Sequence, residues 1–163
     1  MKKLFIVLFF ALLPFCFYSK ASFNALEDND DDLILVSENI EYFNDGSYII
    51  TRIYESLPVL NRDGTYTKAG SNEQTYYDGD TLVWEYTLTG YFTINPGVSC
   101  VCYNSTYSTD IYSNYWSFHD PYNYYSANTA YGEGTFKKRI LFITISTINI
   151  NLSVSCDAYG NIS

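Results

Sequence analysis

The chain reads as an all-β protein, an antiparallel β-sandwich of immunoglobulin-like character with one disulfide, a small closed β-barrel being the alternative. Three observations lead there. Apolar residues alternate with polar ones or fall in short runs, and almost nothing recurs at helical spacing. Turn residues such as Asn44-Asp45-Gly46, Asp63-Gly64, Asp78-Gly79-Asp80 and Asn95-Pro96-Gly97 separate these segments. The segments are rich in β-branched and aromatic side chains, with 18 Tyr and 11 Phe in 163 residues.

Residues 1–21 have the three parts of a secretory signal peptide: Lys2 and Lys3, an apolar run from Leu4 to Tyr18, and Ser19-Lys20-Ala21 with small residues at the −3 and −1 positions. The apolar run is too short for a membrane-spanning helix, which needs about 20 residues, and Pro14 interrupts it. Lipidation at Cys16 would require a small residue before it, where Phe15 stands. Residues 22–32 are polar and acidic without periodicity and read as a flexible leader. Asp28, Asp30 and Asp32 imitate the first ligands of a calcium loop, but Leu33 and Asn39 stand where such a loop needs Gly and Glu. A single domain is therefore expected over residues 33–163.

Within it, Leu33 to Val36 is a short apolar run. Ile40 to Phe43 and Tyr48 to Tyr54 flank Asn44-Asp45-Gly46 as a hairpin. Residues 61–75 are polar with no core content and read as a loop or a short exposed hairpin. From Leu82 to Ile94, Leu82, Trp84, Tyr86, Leu88, Phe92 and Ile94 fall on one face and Glu85, Thr87, Thr89 and Thr93 on the other. That alternation defines a long, half-buried strand, with Gly90 marking a bend, a bulge or the close crossing of another segment. Ser99 to Tyr107 carries two cysteines. Tyr112 to Phe118 forms the next strand, with Trp116 and Phe118 directed to the core, and Asp120-Pro121 ends it. Residues 127–136 supply a further strand. From Ile140 to Cys156 the alternation changes phase near Ser146, which marks a tight turn or a bulge.

Export removes Lys2, Lys3, Lys20 and Cys16. The mature chain then has 18 acidic and 6 basic residues, a net charge of −12. Such a surface repels nucleic acid and anionic lipid. A monomer without stable membrane insertion is expected. Cys100, Cys102 and Cys156 remain, an odd count that outside the cell implies one disulfide and one spare thiol. Cys100 and Cys102, two apart on a strand, share a face, so either could meet Cys156. Their Cys-Val-Cys spacing is no metal-ligand pattern, and neither a metal nor another cofactor is expected.

The sequence shows no assembled catalytic machinery. The one histidine, His119, precedes Asp120, and neighbours on a strand point to opposite faces. A Cys100 and His119 dyad has nothing in the sequence to bring its members together. Carboxylate pairs such as Asp78 with Asp80, or Glu85 with Asp110, match the residue types of glycoside chemistry, but their separation is not readable from sequence. The feature that invites a function is aromatic. Tyr112, Tyr115, Tyr122, Tyr124 and Tyr125 lie among Ser and Asn residues, a composition suited to sugar rings or a protein partner. Tyr is also a common strand residue whose ring packs while its hydroxyl stays wet.

A wider pattern runs through Trp84, Leu88-Thr89-Gly90-Tyr91-Phe92, Gly97, Cys102, Trp116 fourteen residues on, Ala130, Gly132 and the tail Leu152 to Ser163. On these positions residues 82–163 resemble a family of short secreted proteins of Gram-positive bacteria whose function is uncharacterised. The resemblance implies that Cys102 pairs with Cys156 and that Cys100 is this chain's departure. It brings no catalytic residue and no ligand.

The expectation is therefore a secreted, non-enzymatic module that binds an extracellular glycan or protein. A small exported hydrolase or enzyme inhibitor with an unrecognised carboxylate site is the alternative.

Overall fold

Between Tyr42 and Tyr48 the chain reverses over Asn44-Asp45-Gly46, and the turn is built as the residue types require. Asp45 accepts hydrogen bonds from the Ser47 backbone N–H at 3.1 Å and from its hydroxyl at 2.6 Å. Gly46 takes φ +86°, a region that a side chain would strain. In the computed structural model, which describes residues 33–163, similar turns join nine strands. They are β1 (Leu33–Tyr42), β2 (Tyr48–Ser56), β3 (Val59–Leu60), β4 (Tyr66–Asp78), β5 (Thr81–Asn95), β6 (Ser99–Ile111), β7 (Trp116–Ser126), β8 (Thr129–Ile140) and β9 (Ile143–Ser155). The expected signal peptide, acidic leader and calcium-like aspartates lie outside the described residues.

The strands form two antiparallel sheets, one ordered β1-β2-β4-β5-β6 with β3 paired to β4, the other β7-β8-β9. This is the predicted antiparallel sandwich, open rather than closed into a barrel. The immunoglobulin-like character extends to the two facing sheets and not to the connectivity. Apart from β3, each strand pairs with its neighbour in sequence, so both sheets are meanders without a Greek-key crossing. Short turns join consecutive strands within each sheet, and the chain passes between the sheets once, over residues 112–115 between β6 and β7.

The core forms where the small sheet covers β4, β5 and β6. Trp84, Tyr86, Leu88, Phe92 and Ile94 of β5 are fully buried, the face that alternation predicted. Trp84 stacks on Phe136 of β8 with ring centroids 4.0 Å apart. Each such side chain contributes about 1.5–3 kcal/mol by leaving water. Gly90 is a close crossing: a Cβ there would stand 2.8 Å from the Ala130 Cβ and 2.8 Å from Phe92 Cζ.

The expectations for residues 61–75 and for Asp120-Pro121 change, and the one for Ser146 is narrowed to one of its two alternatives. Residues 61–75 are not merely a loop. Val59 and Leu60 do pair with Tyr66 and Thr67 in a short hairpin, but β4 then continues to Asp78 as an interior strand between β2 and β5. Its polar residues are tolerated there because their side-chain donors find partners, although Asn72 Oδ1 is buried without one. Asn72 Nδ2 donates to the Ser153 carbonyl at 3.0 Å, and Lys68 Nζ donates to Glu55 at 2.6 Å and to the Gly160 carbonyl at 3.0 Å. Asp120-Pro121 does not end its strand either: both sit in a bulge between His119 and Tyr122, where the missing proline N–H costs no ladder bond. The phase shift near Ser146 is a bulge at Ile145, skipped between the Lys138↔Ser146 and Arg139↔Thr144 pairs.

Candidate functional site

The outer face of the larger sheet is concave. Directly paired residues share a face, so the register fixes what lines it. Tyr54 pairs with Ser71, Ser71 with Thr89 and Thr89 with Thr106. Glu73 pairs with Thr87 and Thr87 with Ser108. Tyr91 closes one end, and Glu85 faces Asp110 across β5 and β6. Together they bound a trough of about 760 Å³.

The trough is polar and internally ordered. Ser71 and Thr89 hydroxyls are 2.9 Å apart, and Arg52 bridges Glu38 at 2.7 Å and Glu73 at 3.3 Å. The hydrogen bond to Glu38, with Glu73 assisting, raises the Arg52 pKa and keeps its charge firmly in place. Tyr112 reaches over from the chain beyond β6 and donates its hydroxyl to Glu85 Oε2 at 2.7 Å. That bond pushes the Tyr112 phenol up to about 12. Burial, then the Glu73 charge, also raises the Tyr54 phenol. Both rings therefore present neutral hydroxyls below pH 10.

The five tyrosines expected to bind ligand are all exposed, but they do not make one surface. Tyr112 stands at the trough. Tyr115 lies at the end of the sandwich near Trp116, Lys138 and Ile140. Tyr122 and Tyr124 project from the outer face of the small sheet, centroids 5.4 Å apart, and Tyr124 stacks on Tyr131 at 4.8 Å. Tyr125, paired with Ala130, points to the opposite face of that strand. The structure thus brings Tyr122 and Tyr124 together and separates the other three.

Glu85 and Asp110, one of the carboxylate pairs considered, are direct cross-strand partners in the trough. His119 accepts or donates one hydrogen bond with the Ser117 hydroxyl at 2.8 Å, while Asp120 faces Lys137 at 3.9 Å. Cys100 neighbours Cys156 and not His119. Among the described residues, no cluster of three or more His, Cys, Asp or Glu side chains is arranged to hold a metal ion.

The cysteines depart from the pairing that the family resemblance implied. Cys102 lies opposite Phe92 and donates its S–H to the Asn104 carbonyl at 3.2 Å. It is Cys100, opposite Ile94, that comes within 3.1 Å of Cys156, and all three thiols are unbonded. Both cysteines of β6 do share the inward face, so the choice between them depended on where the chain after β9 returns.

Tyr54, Ser71, Glu73, Tyr91 and Thr106 were not singled out by the sequence. Part of their signal was present: Glu85, Thr87 and Thr89 form the solvated half of the β5 alternation. The rest required knowing that β4 is a strand.

No protein-family model matches the chain, and neither a curated protein nor a solved structure shows significant similarity to it.

Proposed function

We propose that the protein is an exported, non-enzymatic binding module whose ligand is a glycan seated in the trough of the larger sheet. The trough itself carries this reading: a concave strip of hydroxyls between Tyr54 and Tyr91, on a floor held rigid by the sheet. Aromatic faces stack on the apolar faces of sugar rings, and fixed hydroxyl and carboxylate groups meet their hydroxyls. Glu85, Asp110 and the net charge of −12 left after loss of residues 1–21 disfavour anionic polymers. The ligand class is therefore a neutral or amine-bearing sugar chain. The signal-like N-terminus and the resemblance to short secreted bacterial proteins support an extracellular setting.

A glycan array probed with the secreted, purified chain tests this. Binding should appear on neutral or amino-sugar glycans. Tyr54→Ala and Tyr91→Ala should each weaken it about tenfold, the 1.4 kcal/mol expected of a lost aromatic contact. Tyr124→Ala, on the other sheet, should leave it unchanged. Binding confined to acidic glycans, or abolished only by Tyr124→Ala, would contradict the assignment.

One observation favours a second reading, hydrolysis: Glu85 and Asp110 stand opposite each other in the same trough. Against it, Asp110 is exposed to water, and a general acid needs surroundings that keep it protonated. Reducing ends released from a bound glycan, and lost in Glu85→Gln, would make hydrolysis the better account.

A further inference from the structure

We infer that Cys100 and Cys156 form a disulfide that clasps the C-terminal segment, residues 157–163, onto the end of the sandwich, and that Cys102 stays a buried free thiol. Two observations carry this independently of the glycan reading, and a third bears on when the bond forms.

The first is placement. Cys100 and Cys156 lie 3.1 Å apart, so a small side-chain rotation brings the sulfurs to the roughly 2.05 Å of a bond. Cys102 is two residues further along β6, about 7 Å, and its S–H is already committed to the Asn104 carbonyl.

The second is what the bridge would hold. The segment after β9 folds back so that Cys156 pairs with Ile162, and Ser155 and Ser163 exchange backbone hydrogen bonds at 2.8 and 2.9 Å. Asp157 closes the turn by accepting from the N–H groups of Tyr159 and Asn161. Gly97 N–H donates to the Ala158 carbonyl at 2.8 Å, Tyr66 Oη donates to the Tyr159 carbonyl at 2.9 Å, and Ile162 is buried against Gly70. The segment is thus tied to β4 and to the β5–β6 turn, three residues before Cys100. A bond at Cys100 completes a set of attachments already present.

The third is chemical. Burial raises the Cys156 thiol well above its ordinary range and raises the Cys100 thiol as well. Little thiolate exists at neutral pH once the segment has docked, so direct oxidation of the folded chain is slow. The reaction belongs to folding during export, by exchange with the disulfide of a thiol oxidoreductase. One thiolate attacks the oxidant disulfide and releases its first thiol; the second cysteine then displaces the remaining sulfur. The sum is two thiols and one oxidant disulfide giving one protein disulfide and two oxidant thiols, with two electrons and two protons passing to the oxidant.

The chain secreted from an oxidising host, unfolded without reductant and alkylated, tests the proposal. One alkylated thiol is expected, and before alkylation the chain should weigh two hydrogens less than the same chain after reduction to three thiols. Cys102→Ser should keep the bridge and take no label, whereas Cys100→Ser should lose the bridge and take two. Reduction should lower the Tm of the wild type and of Cys102→Ser by roughly 10 °C and leave that of Cys100→Ser unchanged. Three labelled thiols in the wild type would overturn the clasp, and this count requires no variant to fold. A bridge that survives Cys100→Ser and vanishes in Cys102→Ser would overturn the choice of partner.

Discussion

Gly90→Ala measures how closely the two sheets approach. Gly90 lies mid-strand in β5, paired with Gly70 on one side and Ser105 on the other, a row of small residues beneath Ala130 of the facing sheet. The added methyl would stand 2.8 Å from the Ala130 Cβ and 2.8 Å from Phe92 Cζ. Carbon atoms settle at about 3.5–4.0 Å, so the sheets must part or the Phe92 ring must leave its position by roughly 1 Å. Overpacking of this kind costs about 1–3 kcal/mol. Against that, replacing glycine where its φ is ordinary restrains the unfolded chain and returns about 0.4–1 kcal/mol. The balance is a loss of about 1–2 kcal/mol. For a domain of this length it lowers Tm by about 4–7 °C. Calorimetry and urea unfolding at equal m-value should both register it. Ala130→Gly in the same chain should recover part of the loss, since it removes the opposing methyl. A Gly90→Ala chain as stable as the wild type would refute the close crossing.

Tyr86 Oη is buried without a partner, and burial holds its phenol up to about 12. Tyr86→Phe should therefore keep or raise stability, by up to about 1 kcal/mol in urea unfolding. A folded-state pKa above the unfolded value of about 10 stabilises the neutral form, fully below pH 10, and that contribution is lost as pH rises toward 12; the variant should accordingly unfold at higher alkali. Asp157 has the opposite sign. Hydrogen bonds from the Asn161 side chain and backbone lower its pKa below 3.8, so its contribution is present above the ordinary carboxylate range and lost as pH falls through the lowered value. NMR titration should find its midpoint below 3.8, and Asp157→Ala should flatten the acid limb of the Tm profile. Phe142 is 98% exposed at the β8–β9 tip beside Leu141 at 88%, so Phe142→Ser should leave stability within about 0.5 kcal/mol and shorten retention on a hydrophobic-interaction column.

The elements legible in the sequence were those in which one face carries the hydrophobic load. β5 was readable over its whole length because Trp84 to Ile94 alternate without a polar intruder on the inner face. The β1–β2 hairpin was readable because an Asp and a Gly occupy positions that need an acceptor and a positive φ. β4 was not, because its inward positions include Lys68, Gly70, Asn72 and Gln74, which look like loop residues until Glu55 and the main chain at Ser153 and Gly160 supply their partners. The tyrosines show the same limit. Sequence marks Tyr112, Tyr115, Tyr122, Tyr124 and Tyr125 as one cluster, but the Asp120-Pro121 bulge and the passage from one sheet to the other send them to different faces. The trough combines residues from five strands, so no local stretch could announce it.

The small sheet backs only part of the larger one. It packs behind β4, β5 and β6, while β1 is exposed along its whole length. The trough therefore has walls of unequal stiffness: β5 and β6 on one side, supported from behind, and Leu33, Tyr54 and Ser56 of β1 and β2 on the other, at the unbacked margin. Amides of β1 should therefore open more readily than those of β5, and hydrogen exchange is expected to find them the sooner to exchange. A ligand spanning the trough would order that margin and slow its exchange. Some of the affinity gained at the rigid wall is thereby spent on the mobile one.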